Sequence, residues 1–558
     1  MTDKRSAIAV ILSILVVMVY SELFISPKTR SQQPSAPVAA RTTETPTVST
    51  EDQLTPKVLG TTSTPEISSA KSLPSTAESL KTIETPLLRV QISNLGGRVK
   101  SLQLKNYKHT LQDGSPLDLV NVSAAMPKPF GVYVGTASDS DLVYSFDDKQ
   151  TGALEISSGG KASISLSTVL NGAKLTKTFQ FDGDHYFIGL KVDGEALKSA
   201  DTTWLEWTTM LPGGKIDQPH LLGFSTLKGQ EVEHTIFPSI EEAGLKTKDG
   251  LTWAAFSDQY FLSAIVGNTP APGRVGKVKI GDQELFVAQL SAPSGSAAFS
   301  VYAGPKDYRL LKELGHDLHR TVDLGFFSFL AQPLLWLLRQ LNSLLNNWGL
   351  SIIALTLLLK AAFLPLTKAS FTSMKAMQEI APEIKALRER ISDSTQLNQE
   401  MIALYKRRGV NPLGGCFPVL IQIPVFLGLY NALLHTIELR HAPFALWIHD
   451  LSAPEWLSLG FISVPVLVIL MTALMVIQQA LTPSPDPTQK KMMMIMSLAF
   501  SFIFINFPAG LTLYWLINSL ISVIQQKVIT KGSRLSPALA TAIGSIAIFG
   551  GAFILTKL

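Results

Sequence analysis

The chain has 558 residues, of which 46% are hydrophobic and 16% charged, against roughly 25% charged in an average soluble domain, and its mean hydropathy is +0.24. That composition excludes a simply soluble protein. A formal charge of +5 is too small a surplus over this length to indicate a nucleic-acid partner, and the one cysteine, Cys416, excludes an internal disulfide and a Cys-rich zinc site.

In chain order, the first apolar run covers 7–25, follows Lys4 and Arg5, and is long enough to cross a bilayer core. A cleaved signal peptide is the alternative, but the run is long for one and ends without a small-x-small site, so residues 1–27 are read as an anchor. Residues 31–80 hold 25 Pro, Ser or Thr and no aromatic; such a stretch buries too little to repay ordering, which predicts a disordered tether over 28–85. From 86 to 320 the pattern becomes short alternating runs, such as Leu88-Arg89-Val90-Gln91-Ile92 and Lys174-Leu175-Thr176-Lys177-Thr178-Phe179. Period-two patterning with frequent turns predicts an all-β sandwich, large enough to bury a core without disulfides. Carbohydrate or peptide binding and a folded spacer both stay open as its role.

Over 321–348, the run 324–345 is apolar but interrupted by Gln332, Pro333, Arg339, Gln340, Asn342 and Ser343, which reads as an amphipathic helix on the outer interface. Further apolar runs lie at 350–366, 417–437, 461–477, 492–507 and 511–528, making six spans with the first. The segment 367–415 carries eight Lys or Arg and 438–460 carries only Arg440, so the positive-inside rule puts the N-terminus and the basic loop in the cytoplasm. The membrane core is thus 349–530, including a basic hairpin at 368–410. In the tail, 531–558, the run 538–556 is long enough for a seventh span.

Within the hairpin, Met377, Ile380, Ile384, Leu387 and Ile391 step by three and four, one apolar stripe on one helix. Leu397, Met401 and Leu404 mark a second, shorter helix after the turn at Ser392, Asp393, Ser394 and Thr395. Arg388 and Arg390 fall on the charged faces, which suit an acidic partner or lipid headgroups, or merely solvent. Inside the membrane, Lys360 lies about seven residues, roughly 10 Å, before the predicted end of its span. An unpaired cation there costs about 2.5 to 3.5 kcal/mol on insertion scales. Snorkelling is one answer; a hydrated recess is the other, supplied by polar groups that include Thr356, Gln422, Asn431, Gln478, Asn506, Asn518 and Ser519. None of the five predicted spans after the first holds Asp or Glu, which argues against coupled transport. There is no Gly-rich phosphate loop and no His-Glu-x-x-His, so the sequence indicates no enzyme, cofactor or metal. Met492, Met493, Met494 and Met496 fill gaps or contact a client.

Asn411-Pro412-Leu413-Gly414-Gly415-Cys416-Phe417-Pro418, Ile421-Gln422-Ile423-Pro424-Val425-Phe426, Pro365-Leu366-Thr367-Lys368, 382–390, 442–452 and Phe507-Pro508-Ala509-Gly510-Leu511 together resemble the YidC-type membrane protein insertases. Asn94-Leu95-Gly96-Gly97 and Tyr302-Ala303-Gly304-Pro305-Lys306 extend the likeness to the exported domain and suggest the Gram-negative form. The resemblance implies a polytopic α-helical protein of the bacterial inner membrane. Its parts would be an N-terminal anchor, a five-helix core around a hydrophilic groove, a periplasmic β-sandwich and a cytoplasmic helical hairpin. It implies insertion and folding of nascent integral membrane proteins, alone or with Sec translocon components, with the ribosome and membrane lipids as further partners. Lys360 matches the position of the family's groove arginine. Thr356, Gln422 and Trp515 match groove positions, Asn518 joins them as a polar groove residue, and Met377, Ile384, Leu387, Arg388 and Arg390 belong to the client-receiving hairpin. A small-solute transporter or channel is the alternative function, and a scaffold anchoring the sandwich a third.

Overall fold

Leu175, Lys177, Phe179 and Phe181 occupy the inward positions of strand Ala173–Asp182 in the computed structural model of the chain, so a lysine stands where the pleat calls for a hydrophobe. The structure describes residues 78–112, 114–124, 126–147, 152–210, 221–240, 244–293, 297–411, 417–482, 487–530 and 536–557. The predicted anchor, most of the tether, Cys416, Lys531 and Arg534 lie outside them. Two compact units divide between Pro305 and Lys306.

The first unit is built of β-sheet. Thr202–Thr209, Gln283–Pro293, Phe261–Ile280, Ala297–Pro305, Phe187–Asp193, Ala173–Asp182 and Lys161–Leu170 run antiparallel, each beside the next. A smaller sheet holds Leu80–Glu84, Leu88–Ser93 and Arg98–Lys108. Its first strand falls inside the stretch whose composition predicts a tether; Lys81 and Ile83 share its inward face, and Ile83 is fully buried.

Buried charge fastens the two sheets. The Lys177 ammonium donates to the carbonyls of Gly96 at 2.8 Å, Gly97 at 3.1 Å and Phe130 at 2.9 Å and pairs with Asp139 at 2.5 Å. Gly96 and Gly97 both have positive φ, which aims their carbonyls at the ammonium. The Gly-Gly motif noted in the sequence is therefore a lysine cradle. Arg98 lies 3.5 Å from Asp139 and from Glu206, and Glu206 also accepts from Tyr133 and Gln289. A Cβ on Gly131 would meet the Arg98 guanidinium at 2.5 Å, so only glycine admits that arginine. Burial pulls Lys177 down to about 8, against the opposing charge of Asp139.

The second unit is helical: α1 (Tyr308–Glu313), α2 (Ser328–Leu345), α3 (Trp348–Ala362), α4 (Leu364–Glu379), α5 (Ala381–Arg390), α6 (Ser394–Arg408), α7 (Phe417–Leu434), α8 (Val466–Leu481), α9 (Pro487–Phe504), α10 (Ala509–Thr530) and α11 (Pro537–Leu555). Helix α10 packs against α3, α8 and α11, and α2 against α3 and α7. On α2, Arg339 is clasped by Asp307 at 2.7 Å and Glu438 at 2.8 Å, while Phe329, Trp336 and Leu344 face outward. The helix thus turns a charged contact inward and an apolar surface outward.

Three expectations are corrected. The span expected over 350–366 stops at Ala362 and bends by 60° into α4, because Pro365 cannot donate and disfavours helical geometry in the residue before it. Lys360 therefore sits two residues from its helix end instead of about seven. The stripe from Met377 to Ile391 is divided at Ile380, where Pro382 opens a new helix, and α6, at 15 residues, is longer than α5, at 10. The run 461–477 becomes helical only at Val466, its first residues forming a small hairpin, Leu457–Ser458 with Ser463–Val464. Among the described residues, one helix, Ala538–Leu555, has by itself the length and apolar character of a span, and α3 with α4 qualifies across the bend.

Replacing Lys177 by Met removes one partner of a buried ion pair, which typically costs about 3–5 kcal/mol. Thermal unfolding of the full chain in detergent is expected to show that loss in the β-rich unit; a change below about 1 kcal/mol would mean that the pair does not fasten the sheets.

Candidate functional site

Thr356 and Lys360 are one turn apart on α3, and Tyr514, Asn518 and Ser522 repeat every fourth residue on α10, so each set lies on one face of its helix. The two faces meet. Lys360 is 8% exposed, and its ammonium donates to the Ser522 hydroxyl at 2.7 Å. That hydroxyl in turn donates to the Asn518 backbone carbonyl at 2.8 Å. From α7, the Gln422 amide donates to the Asn518 side-chain oxygen at 2.8 Å. The Thr356 hydroxyl is turned back to the Ile352 carbonyl at 2.7 Å. Thr356, Lys360, Gln422, Tyr514 and Asn518 border a recess of about 400 Å³, its open mouth included, whose lining continues through Phe363, Leu366 and Thr367 at the α3–α4 bend.

No Asp or Glu occurs in α3, α7, α8, α9 or α10, and among the described residues no carboxylate pairs with Lys360. The lysine is thus bonded to a neutral hydroxyl and keeps its positive charge uncompensated. Thr367, just past the bend, adds a further hydroxyl to a lining in which polar side chains alternate with Leu359, Phe363, Leu366 and Val425.

Of the residues singled out from the sequence, Lys360, Thr356, Gln422 and Asn518 come together. Trp515 does not border the recess: its ring packs against Phe426, Phe500 and Phe504 at 4.8 to 5.4 Å, forming an aromatic wall between α7, α9 and α10. Asn431 lies against Gly325, and Asn506 is exposed. Sequence reasoning missed Ser522 and Tyr514, although their four-residue spacing from Asn518 was available as a signal.

In the hairpin, α5 and α6 bury Ile380, Ile384 and Leu404 between them, with Met377, Leu387, Met401 and Tyr405 packed around. The apolar stripe therefore faces the other arm of the hairpin, and what it presents outward is charge, Arg388 and Arg390 among it. Asp393 caps α6 through the Gln396 amide at 2.7 Å. Met492, Met493 and Met496 are exposed on α9, so these thioethers do not fill gaps inside the unit.

At the far ends of the helices, the loop 435–465 is fixed by its own polar groups. Glu455 accepts from the backbone amides of Val466 at 3.2 Å and Leu467 at 3.0 Å and from the Trp447 indole, which places a carboxylate on the α8 N-terminus. Phe444 stacks over Gly349 so closely that a Cβ there would approach to 2.2 Å. Leu451 and Ala453 carbonyls accept from Gly510 and Ala509 at the start of α10.

Two family models match the chain: one described as "60Kd inner membrane protein" over residues 340–536 and one as "YidC periplasmic domain" over 81–337. A relative from Syntrophus aciditrophicus, named Membrane protein insertase YidC, is 35% identical over 95% of this chain and 99% of its own length. One of the same name from Geobacter sulfurreducens is 35% identical over 95% and 98% respectively. A solved structure titled "Active YidC insertase crystal structure with the first transmembrane domain resolved" has 18% identity, covers 80% of this chain and 93% of its own, and gives a TM-score of 0.36.

The bond between Gln422 and Asn518 ties α7 to α10 across the recess. A double-mutant cycle on Gln422→Leu and Asn518→Leu, read by thermal unfolding in lipid nanodiscs, is expected to return a coupling of about 0.6 kcal/mol, the usual size for such bonds in membrane proteins. Strict additivity would mean that the two helices are not joined there.

Proposed function

Because the chain belongs to the YidC family of membrane protein insertases, which act on membrane-protein clients at the inner membrane and are not enzymes, we propose that the Lys360 recess receives the polar tail or loop of an incoming client. Lys360 is the electrostatic attractor, and Thr356, Gln422 and Asn518 are the wet walls. The single observation that carries this reading is a buried ammonium bonded to Ser522 and paired with no carboxylate among the described residues. Such a group remains free to attract an acidic segment. A lysine supplies a point charge without the fork of an arginine, so attraction here does not depend on bidentate geometry.

In this reading the N-terminus is cytoplasmic, residues 1–27 anchor, 28–85 tether and 86–320 form the periplasmic domain. Residues 321–348 lie on the outer interface, 349–530 form the core, and α11 in the tail is a further span. The hairpin at 368–410 is cytoplasmic and receives clients through its charged surface, Arg388 and Arg390 included. Its apolar residues Met377, Ile384 and Leu387 hold it together. The exposed methionines of α9 provide an adaptable surface for the client's apolar segment. Sec translocon components and the ribosome are the partners this arrangement would serve. Burial of a client's apolar span, at about 0.8 kcal/mol per CH₂, drives the passage of a short polar segment without nucleotide. Small-solute transport has no support from the insertase relatives.

Insertion of a client with an acidic tail into proteoliposomes tests the proposal. Lys360→Arg is expected to preserve insertion, and Lys360→Ala to lower it roughly tenfold, the weight of about 1.4 kcal/mol, with a smaller loss for a client whose tail is neutral. Equal rates for all three proteins would remove Lys360 from the mechanism. Deleting 370–408 is expected to abolish insertion, and undiminished insertion would return the chain to a scaffold role.

A further inference from the structure

The apolar run expected to begin a span at Phe461 is longer than the helix that forms, and its first part turns back on itself as a β-hairpin. Leu457 pairs with Val464 and Ser458 with Ser463, and the Leu459 amide closes the turn on the Ile462 carbonyl at 2.8 Å. Gly460 supplies the positive φ, 88°, that the turn needs. At the tip Phe461 is 98% exposed, and Trp456, Leu459 and Ile462 are each about half exposed. These are four large apolar side chains on a projecting turn whose ladder bonds are already made.

We propose that this tip is a wedge inserted at the headgroup–acyl boundary of the outer leaflet, its ligand being lipid. The inference rests on the reading that α8 spans the membrane. Three observations favour lipid over protein. From Trp456 to Gln478 there is no Asp, Glu, Lys or Arg, so the tip continues the uncharged surface of α8, which starts two residues after the hairpin. The tip's internal hydrogen bonds lower the cost of taking backbone out of water. The tip is also convex, and four aromatic or aliphatic side chains fall short of the roughly 800 Å² that each partner contributes to a stable protein interface. A tryptophan at the root suits the interfacial belt. Glu455, buried on the α8 N-terminus, fixes the hairpin's root against the helix, so the wedge and the span move as one piece. The wedge thereby fixes the outer end of α8 at a set depth while clients pass.

A single reporter cysteine tests this in the full chain carrying Cys416→Ser. Phe461→Cys is labelled with an environment-sensitive fluorophore after reconstitution in phosphatidylethanolamine–phosphatidylglycerol vesicles. Val169→Cys, on an exposed strand position of the β unit, serves as the aqueous reference. Leu470→Cys, half exposed on α8, reports the span itself. The expected result is strong quenching of the Phe461 probe by lipids brominated near the headgroup, with little quenching by iodide, the reverse of Val169. Quenching by iodide alone would overturn the proposal, and so would protection from both quenchers, which would mean that a client or a second copy covers the tip. If the Leu470 probe escapes brominated lipid, the spanning reading fails with it; if Leu470 is quenched and Phe461 is not, only the wedge fails.

Discussion

An ammonium group taken out of bulk water must be given acceptors or an opposite charge, and Lys177 and Lys360 meet that need in two ways with opposite consequences. Lys177 has three carbonyl acceptors and the Asp139 carboxylate, so its charge is consumed in holding two sheets together. Lys360 has a neutral hydroxyl, so its charge is held in place but remains available. The difference separates a lysine committed to the fold from one that, in the proposed reading, would act on a client. A carboxylate beside Lys360 would stabilise it better and would leave nothing for an incoming acidic tail.

Prolines and buried caps decide where that available charge sits. Pro365 ends α3 just after Lys360, and the bend opens a polar-walled recess in place of a continued apolar helix. Pro382 divides the hairpin arm, and Pro465 with Glu455 delays the start of α8. Each interruption shortens a helix relative to the apolar run that encodes it. The leftover apolar residues must then be covered in another form, as at Phe461.

Much of this was legible in the sequence because it depends on period and composition. The alternating strands, the basic hairpin, the lysine set in an apolar run and the polar partners Gln422 and Asn518 all follow from reading one residue type against its neighbours. What escaped depends on direction and distance. Period-two patterning marks Lys177 as inward-facing, yet a lysine at such a position ordinarily argues against burial, and only the carbonyls of Gly96 and Gly97 make it tolerable. A run such as 461–477 groups apolar residues together without fixing whether they form helix or hairpin. Trp515 shares a helix with Asn518 and Ser522, but its place in the helical repeat turns its ring into the aromatic wall. The stripe on α5 was visible; that it faces α6 required the hairpin's packing.

The single charge also limits what the recess can do. Central Leu, Ile, Phe and Val residues favour insertion by about 0.3 to 0.6 kcal/mol each, whereas a central Asp, Lys or Arg opposes it by about 2.5 to 3.5. One apolar client span therefore offsets the crossing of only a few charged residues. In the reading proposed for the recess, Lys360 would not alter that balance, since the client's end state is outside it; it would lower the intermediate point at which a tail is half desolvated. An attractor that bound more tightly would hold the tail there and slow its release. On that proposal, a lysine held by a serine hydroxyl would suit short, weakly acidic segments, and longer or more strongly charged ones would need another route across.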